Sequence, residues 1–221
     1  MSPRFTILAI TVILSFILDI FLEIKIVNML GMSVTSGIFV FPLCYIADDC
    51  ITEVYGYKMS RWVMWMTFLS ALITISILQL SCILPSYYCR PIDSSYNIIF
   101  SCSPRIFIAS MLSLITGSTI NSIVLSKMKV LSNGKGFRLR AILSSVFGRA
   151  GEVNVFYFCA FLGTMPIYDI LSISFHTWLF GILYELCVLP VTVRVADYLK
   201  KKDNIDAFDY DISYNPFSIK L

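Results

Sequence analysis

Two carboxylates four residues apart, Asp49 and Glu53, stand in the otherwise apolar stretch FVFPLCYIADDCITEVYGYK. On a helix that spacing puts both on one face, with Asp48 turned elsewhere. Paired carboxylates can accept two parallel N–H bonds, such as the ring N–H and 2-amino group of a guanine-like base. Arg149 and Glu152, three apart in LRAILSSVFGRAGEVNVFYFCAFLG, form a second one-face pair. They can neutralise each other or line a polar cavity. Asn121 adds an amide, and the rings of Phe41, Tyr45 and Phe156 are suited to stack on a flat heterocycle. Asp19 and Glu23 are also four apart, with Lys25 close by. They read either as a charge-paired, surface-facing helix end or as part of the same polar system. Glu185 and the single histidine, His176, are weaker candidates; a lone His in an apolar run is usually a hydrogen-bonded packing residue. The same groups would also serve a proton or cation route.

Several chemistries are excluded by what is missing. No G-x-x-x-x-G-K-[ST] loop is present, so the chain cannot itself couple ATP hydrolysis. No G-x-S-x-G or H-E-x-x-H occurs, and one His leaves little for acid–base schemes, so an enzyme is not expected. The seven Cys include no C-x-x-C pair, and neither a metal site nor a resident cofactor is expected. A net charge of +3 argues against a nucleic-acid partner.

The elements that must hold these groups are set by composition. Of 221 residues 57% are hydrophobic and only 14% charged, against about 25% charged in globular domains. Mean hydropathy is +0.80. Six stretches are long enough to cross a bilayer, which takes roughly 20 apolar residues. They run over about 5–29, 36–55, 60–84, 105–130, 137–162 and 170–199, making one six-helix, all-α integral membrane domain over 1–221. The first run is too long for a signal-peptide core and lacks a small-x-small cleavage site, so it is read as a helix. Pro42 falls inside the second run and is expected to free a backbone carbonyl there. With six crossings both termini share a side. Thirteen of the 17 basic residues fall on that side and only Arg90 and Arg105 on the other, which predicts cytoplasmic termini and a cytoplasmic tail over 200–221. Trp62, Trp65, Tyr87 and Tyr88 read as interfacial anchors. The outward loop over about 85–104 carries Cys89 and Cys102, with Cys82 just before it; a disulfide there is open, its pairing undefined.

A weak internal repeat is visible. Gly117-Ser118-Thr119-Ile120-Asn121 and Gly148-Arg149-Ala150-Gly151-Glu152 each put a polar residue after a Gly and another three further on. Repeats in transporters often bracket a central site.

The segment Gly37–Arg61, GIFVFPLCYIADDCITEVYGYKMSR, resembles the signature of the queuosine precursor transporter family, also known as a vitamin uptake transporter family. Three further stretches agree: Arg140 through Ser144-Ser145 and Gly148 to Phe156 and Ala160–Gly163; Leu199-Lys200; and the tail from Asp206-Ala207-Phe208-Asp209 to Asn215-Pro216-Phe217. The resemblance covers nearly the whole chain. It implies a six-helix importer of the bacterial inner membrane, and Asp49 and Glu53 match the family's motif carboxylates. It further implies 7-deazaguanine substrates, the cyano and aminomethyl bases or queuine. The family usually has Gln-x-x-Asp in the fourth and fifth spans; here those positions read Ser118…Asn121 and Arg149…Glu152. The Glu keeps an anionic acceptor, while the Arg replaces a group that both donates and accepts.

The expected substrate-binding set is therefore Asp49, Glu53, Arg149, Glu152, Asn121, Tyr45, Phe41 and Phe156. Transport would be facilitated or secondary, with a purine-like base and the lipid bilayer as partners, and self-assembly left open. The alternatives are a substrate-binding subunit of an energy-coupling-factor vitamin importer and, less favoured, an intramembrane enzyme. The Asn-Pro-Phe tail has no role of its own at this level beyond docking on the cytoplasmic face of the bundle.

Overall fold

The computed structural model describes residues 2–23, 25–29, 32–85, 91–100 and 104–218. The architecture is an all-α membrane bundle with one small hairpin. Six long helices carry it: α1 (Pro3–Leu22), α2 (Phe41–Tyr55), α3 (Tyr57–Ile83), α5 (Pro104–Leu131), α6 (Phe137–Phe161) and α7 (Ile167–Asp203). A short α4 (Pro91–Phe100) lies in the loop before α5. Large apolar side chains such as Ile7, Leu14, Leu18, Ile77, Leu80, Leu171 and Phe175 are exposed on α1, α3 and α7, while acids, arginines and serines are buried inside. That inverted distribution suits a lipid surround and a polar interior.

By length and composition α1, α3, α7 and the segment Asp93–Leu131 containing α5 can cross a membrane. The other two long helices fall short for different reasons. α2 has 15 residues, so it is only about 22 Å long at 1.5 Å per residue. α6 has length enough, but Arg140, Arg149 and Glu152 interrupt its apolar run.

The largest difference from expectation lies between the first two spans. Helix α1 stops at Leu22 instead of running to 29. Ile26–Met29 (β1) and Met32–Thr35 (β2) pair antiparallel, with Ile26 opposite Thr35 and Met29 opposite Met32. Mean apolarity is the same for helix and strand, so hydropathy could not separate them. A 3₁₀ turn over Ser36–Phe39 follows, and α2 starts at Phe41 with Pro42 in its first turn. Pro42 thus initiates the helix rather than breaking it, because the missing N–H is one that a first turn does not use.

The first and last helices close on each other. Ser2 caps α1 by accepting from Phe5 N at 3.2 Å, and Arg4, Ser2 and Tyr55 all donate to Asp203 at the end of α7. The C-terminus of α2 and the N-terminus of α3 meet there at Gly56, whose φ of +86° suits only glycine. Both chain ends therefore lie at one end of the bundle. The hairpin, the N-terminus of α5 and the C-terminus of α6 lie at the other.

Candidate functional site

One stripe of α2 organises the polar interior. Tyr45, Asp49 and Glu53 recur every four residues and so share a face. Each finds a partner on α5 or α6. The Tyr45 hydroxyl donates to Glu152 Oε2 at 2.5 Å. Asn121 Nδ2 donates to Asp49 Oδ1 at 2.8 Å. Arg140 grips Glu53 with two N–H bonds of 2.6 and 3.0 Å. Asp48 faces another way, as its offset demands, and accepts from Ser60 on α3 at 2.6 Å and from Ser118 and Ser122 on α5 at 3.2 and 3.3 Å.

The two halves of the sequence repeat meet face to face. A Cβ on Gly117 would lie 2.7 Å from Glu152 Cβ, and one on Gly148 would lie 2.8 Å from Asn121 Cβ. The antiparallel α5–α6 crossing is thus reciprocal: the Gly of each repeat makes room for the last polar residue of the other. Small residues let helix backbones approach closely in lipid. This brings Asn121 and Glu152 to the centre of the bundle, side by side along the α2 stripe.

Arg149 points from the same crossing toward α7. Its Nε is 3.7 Å from Glu185 Oε2, and its guanidinium lies 4.4 Å from the Tyr45 ring centroid. Gly181 on α7 makes this possible, since a Cβ there would be 2.4 Å from Arg149 Nη1. Ser145 donates to the other Glu185 oxygen at 2.6 Å.

A cavity of about 570 Å³, its open mouth included, lies against these groups. Its wall holds Arg149, Glu152, Phe156 and Tyr157 of α6, Asp19 and Glu23 of the α1 end, Thr35 at the end of β2 and Gly37 just beyond it. It shares Glu23, Thr35, Phe156 and Tyr157 with a second space of about 670 Å³ lined by Ile106, Phe161 and Met165. Those three residues sit at the end away from the termini, so the cavity leads in that direction. A smaller space of about 390 Å³ beside Tyr45, Asp48 and Ser118 adjoins it at Phe16 and Glu152.

The opposite end is shut by ions. Glu53 is 0% exposed and Arg140 2%. Lys200 Nζ sits 2.7 Å from Glu53 Oε1, and Lys129 lies 3.9 Å from the same oxygen. The tail completes the cluster. Asp206 pairs with Lys129 and Lys200, and Lys129 also donates to the Ala207 carbonyl at 2.7 Å. Burial alone would raise the Asp206 carboxyl, but its hydrogen bonds and charge contacts with Lys129 and Lys200 outweigh that and hold it below the ordinary value. Further along, Asp209 accepts from Tyr57 N at 2.9 Å and Ser126 at 2.6 Å. Arg61 donates to the Asn215 carbonyl at 3.1 Å and Trp65 to the Pro216 carbonyl at 2.7 Å. The Asn-Pro-Phe tail docks on the bundle end as expected, and Trp65 is its hydrogen-bond donor rather than only an interfacial anchor.

The sequence-predicted residues fall into three places. Arg149, Glu152 and Phe156 line the cavity, and Tyr45 joins them through Glu152. Asp49 and Asn121 form a buried rung one turn behind. Glu53 stands a further turn away, with both oxygens held by cations. The side chain of Phe41 lies outside the described residues, as do Cys89 and Cys102. Asp19 and Glu23 are not a charge-paired surface end: Asp19 is 4% exposed, both line the cavity, and neither has a basic partner within 4 Å among the described residues. Their four-residue spacing was the available signal. Tyr157 and Gly181 carried none, because an aromatic or a Gly in an apolar helix looks like packing.

Comparison with known proteins adds the following. Residues 35–195 match the family described as "Putative vitamin uptake transporter". A Bacillus subtilis (strain 168) protein named "Probable queuosine precursor transporter" is 26% identical over 169 residues, covering 76% of this chain and 73% of its own length. No solved structure matches.

Proposed function

This chain belongs to the vitamin uptake transporter family, and from that premise we propose that it imports a queuosine precursor across the bacterial inner membrane. The substrate is a 7-deazaguanine base: the cyano form, the aminomethyl form or queuine. The observation that carries this reading is the cavity wall, where Arg149 and Glu152 stand beside the rings of Phe156 and Tyr157. A flat base with an amide edge needs donors, acceptors and an aromatic face together. Glu152 supplies an acceptor for the ring N–H and 2-amino group, and Arg149 supplies donors for the ring carbonyl. Asp49 and Asn121 hold the α2–α5 contact behind that wall, and Glu53 anchors the closed end.

In this reading all six long helices cross the membrane with both termini in the cytoplasm. The cavity then faces outward, while the ion cluster and docked tail seal the inner side. Movement is facilitated diffusion or secondary transport, with the base trapped later by enzymes outside this chain. A vitamin-importer subunit that docks an ATPase through small residues of its first helix is less well supported. The one Ala of α1, Ala9, is buried inside the bundle at 6% exposure.

The test is queuosine in the tRNA of a host unable to make the base, expressing this chain and fed each precursor at low dose. Restored queuosine establishes import. No restoration with any base, given confirmed membrane expression and intact downstream enzymes, returns the chain to the vitamin-subunit reading.

A further inference from the structure

The cavity wall is unevenly charged. It presents three carboxylates, Asp19, Glu23 and Glu152, against one guanidinium, that of Arg149. Glu152 already accepts from Tyr45, and Arg149 is already engaged with Glu185 and the Tyr45 ring. Asp19 differs from Glu152. It is 4% exposed, it lines the cavity, and its Oδ1 has no hydrogen-bond partner among the described residues. Gly37 closes over it so tightly that a Cβ would lie 2.0 Å from that oxygen. Glu23, one turn on, shares its helix face and the cavity, and has no ion pair among the described residues either.

A buried carboxylate with an empty acceptor position is costly where water is scarce. An Asn or Ser would sit there more cheaply, so the position calls for a donor arriving with the ligand. Resting on the import reading above, we propose that Asp19, seconded by Glu23, receives a protonated amino group, and that the cavity selects amine-bearing bases over neutral ones. The division of labour follows from donor and acceptor types. Arg149 and Glu152 meet the amide edge that every 7-deazaguanine carries. Asp19 and Glu23 are left for the 7-substituent. An ammonium brings three donors and a charge to two carboxylates. A nitrile nitrogen is an acceptor only, and set against a carboxylate it faces like with like. Specificity is a difference of affinities, and here an attraction to one substituent and a repulsion of the other act together.

The experiment compares the 7-cyano and 7-aminomethyl bases, which differ at this one substituent, as uptake substrates and as mutual competitors in cells expressing the intact chain. The expected result is a preference of at least about tenfold for the aminomethyl base, a size typical of a charge-assisted contact made or lost. Asp19→Asn offers an amide N–H that suits the nitrile, so the preference should fall toward one or reverse; Glu23→Gln should narrow it less. Membrane levels are matched by immunoblot. Equal uptake of both bases by the unaltered chain overturns the amine site while import stands. So does a preference that survives in both variants. Uptake of neither base by the unaltered chain overturns the import reading itself, and the amine site with it.

Discussion

Glu53 offers the sharpest separation between a substrate contact and a structural anchor. It is fully buried, accepts two bonds from Arg140 at 2.6 and 3.0 Å, and holds Lys200 at 2.7 Å. Glu53→Gln keeps the shape but removes the anion. Arg140, 2% exposed, then faces Lys129 and Lys200 with only Asp206 left to balance three cations. Breaking a buried pair by removing one partner costs about 3–5 kcal/mol, because the remaining charge is left uncompensated. For a chain of this size 1 kcal/mol moves Tm by roughly 2–4 °C, so a fall of roughly 6–20 °C is expected in detergent. The pair replacement Glu53→Gln with Arg140→Gln should recover part of the loss, since the buried guanidinium goes with its partner, while Lys129 and Lys200 still share Asp206. The assay is thermal unfolding of purified protein, alongside uptake at 20 °C normalised to membrane content. A lower Tm with uptake reduced only in proportion to folded protein fits an anchor. An unchanged Tm with uptake abolished refutes this reasoning and returns Glu53 to the substrate.

Three other outcomes follow from the same geometry. Gly181→Ala would place a Cβ 2.4 Å from Arg149 Nη1 and push the guanidinium off its seat; uptake should fall at least about tenfold with membrane insertion intact, and normal uptake would show that Arg149 needs no such room. Asp49→Asn keeps an acceptor opposite Asn121 but removes the charge of the motif carboxylate; uptake is expected to be abolished without loss of insertion, and retained transport would remove Asp49 from the working machinery. Asp206 is held below its unfolded value of about 3.9 by Lys129 and Lys200, so its contribution to tail docking is present above that pH and lost as pH falls through the lower folded value. Trp65 donates to Pro216 of the tail, so its fluorescence should be steady from pH 7 to about 4 and change below that; a change centred near neutral pH would point to another group.

The helices were legible because a bilayer demands long apolar runs, and all six stretches appear as helices within a few residues except at 22–41. There Glu23, Lys25, Asn28, Ser33, Thr35 and Ser36 break the apolar run and Met32-Ser33-Val34-Thr35 alternates as a strand does, but which segment it pairs with is a contact that no local pattern encodes. The site was half legible. Charged residues at i,i+4 or i,i+3 announce a shared face, which is why the pairs Asp49–Glu53 and Arg149–Glu152 could be named. What the face looks at is a tertiary fact. Arg140, Lys129 and Lys200 served the sequence reading only as topological positives; packed together, they take Glu53 away from the cavity. Asp19 and Glu23 had the same spacing as the motif pair, yet a helix end near Lys25 supplied a simpler explanation that the hairpin then removed by carrying the chain back over Asp19.

The stripe of α2 shows why one end of this bundle is closed and the other open. Its three rungs differ in how completely they are satisfied. At Glu53 both oxygens are bound by cations from α6 and α7, with α5 and the tail behind them. At Asp49 one oxygen takes one amide N–H, and Asn121 Oδ1 has no hydrogen-bond partner among the described residues. At Tyr45 a single hydroxyl meets Glu152, and the cavity begins. Ion pairing to the stripe, among the described residues, is therefore confined to the end near the termini. A carrier must keep one end shut while substrate enters at the other, and shifting the seal requires groups whose bonds can be exchanged at little net cost. The Glu152 and Asp49 rungs, met by a hydroxyl and an amide rather than by cations, are such groups. The Glu53 cluster is not, unless Asp206 and the tail leave with it. In the import reading proposed above, opening at the end near the termini would require the tail to release Lys129 and Lys200 together. A covalent tether holding residues 206–209 to the end of α5 should block transport while leaving base binding from the outside intact.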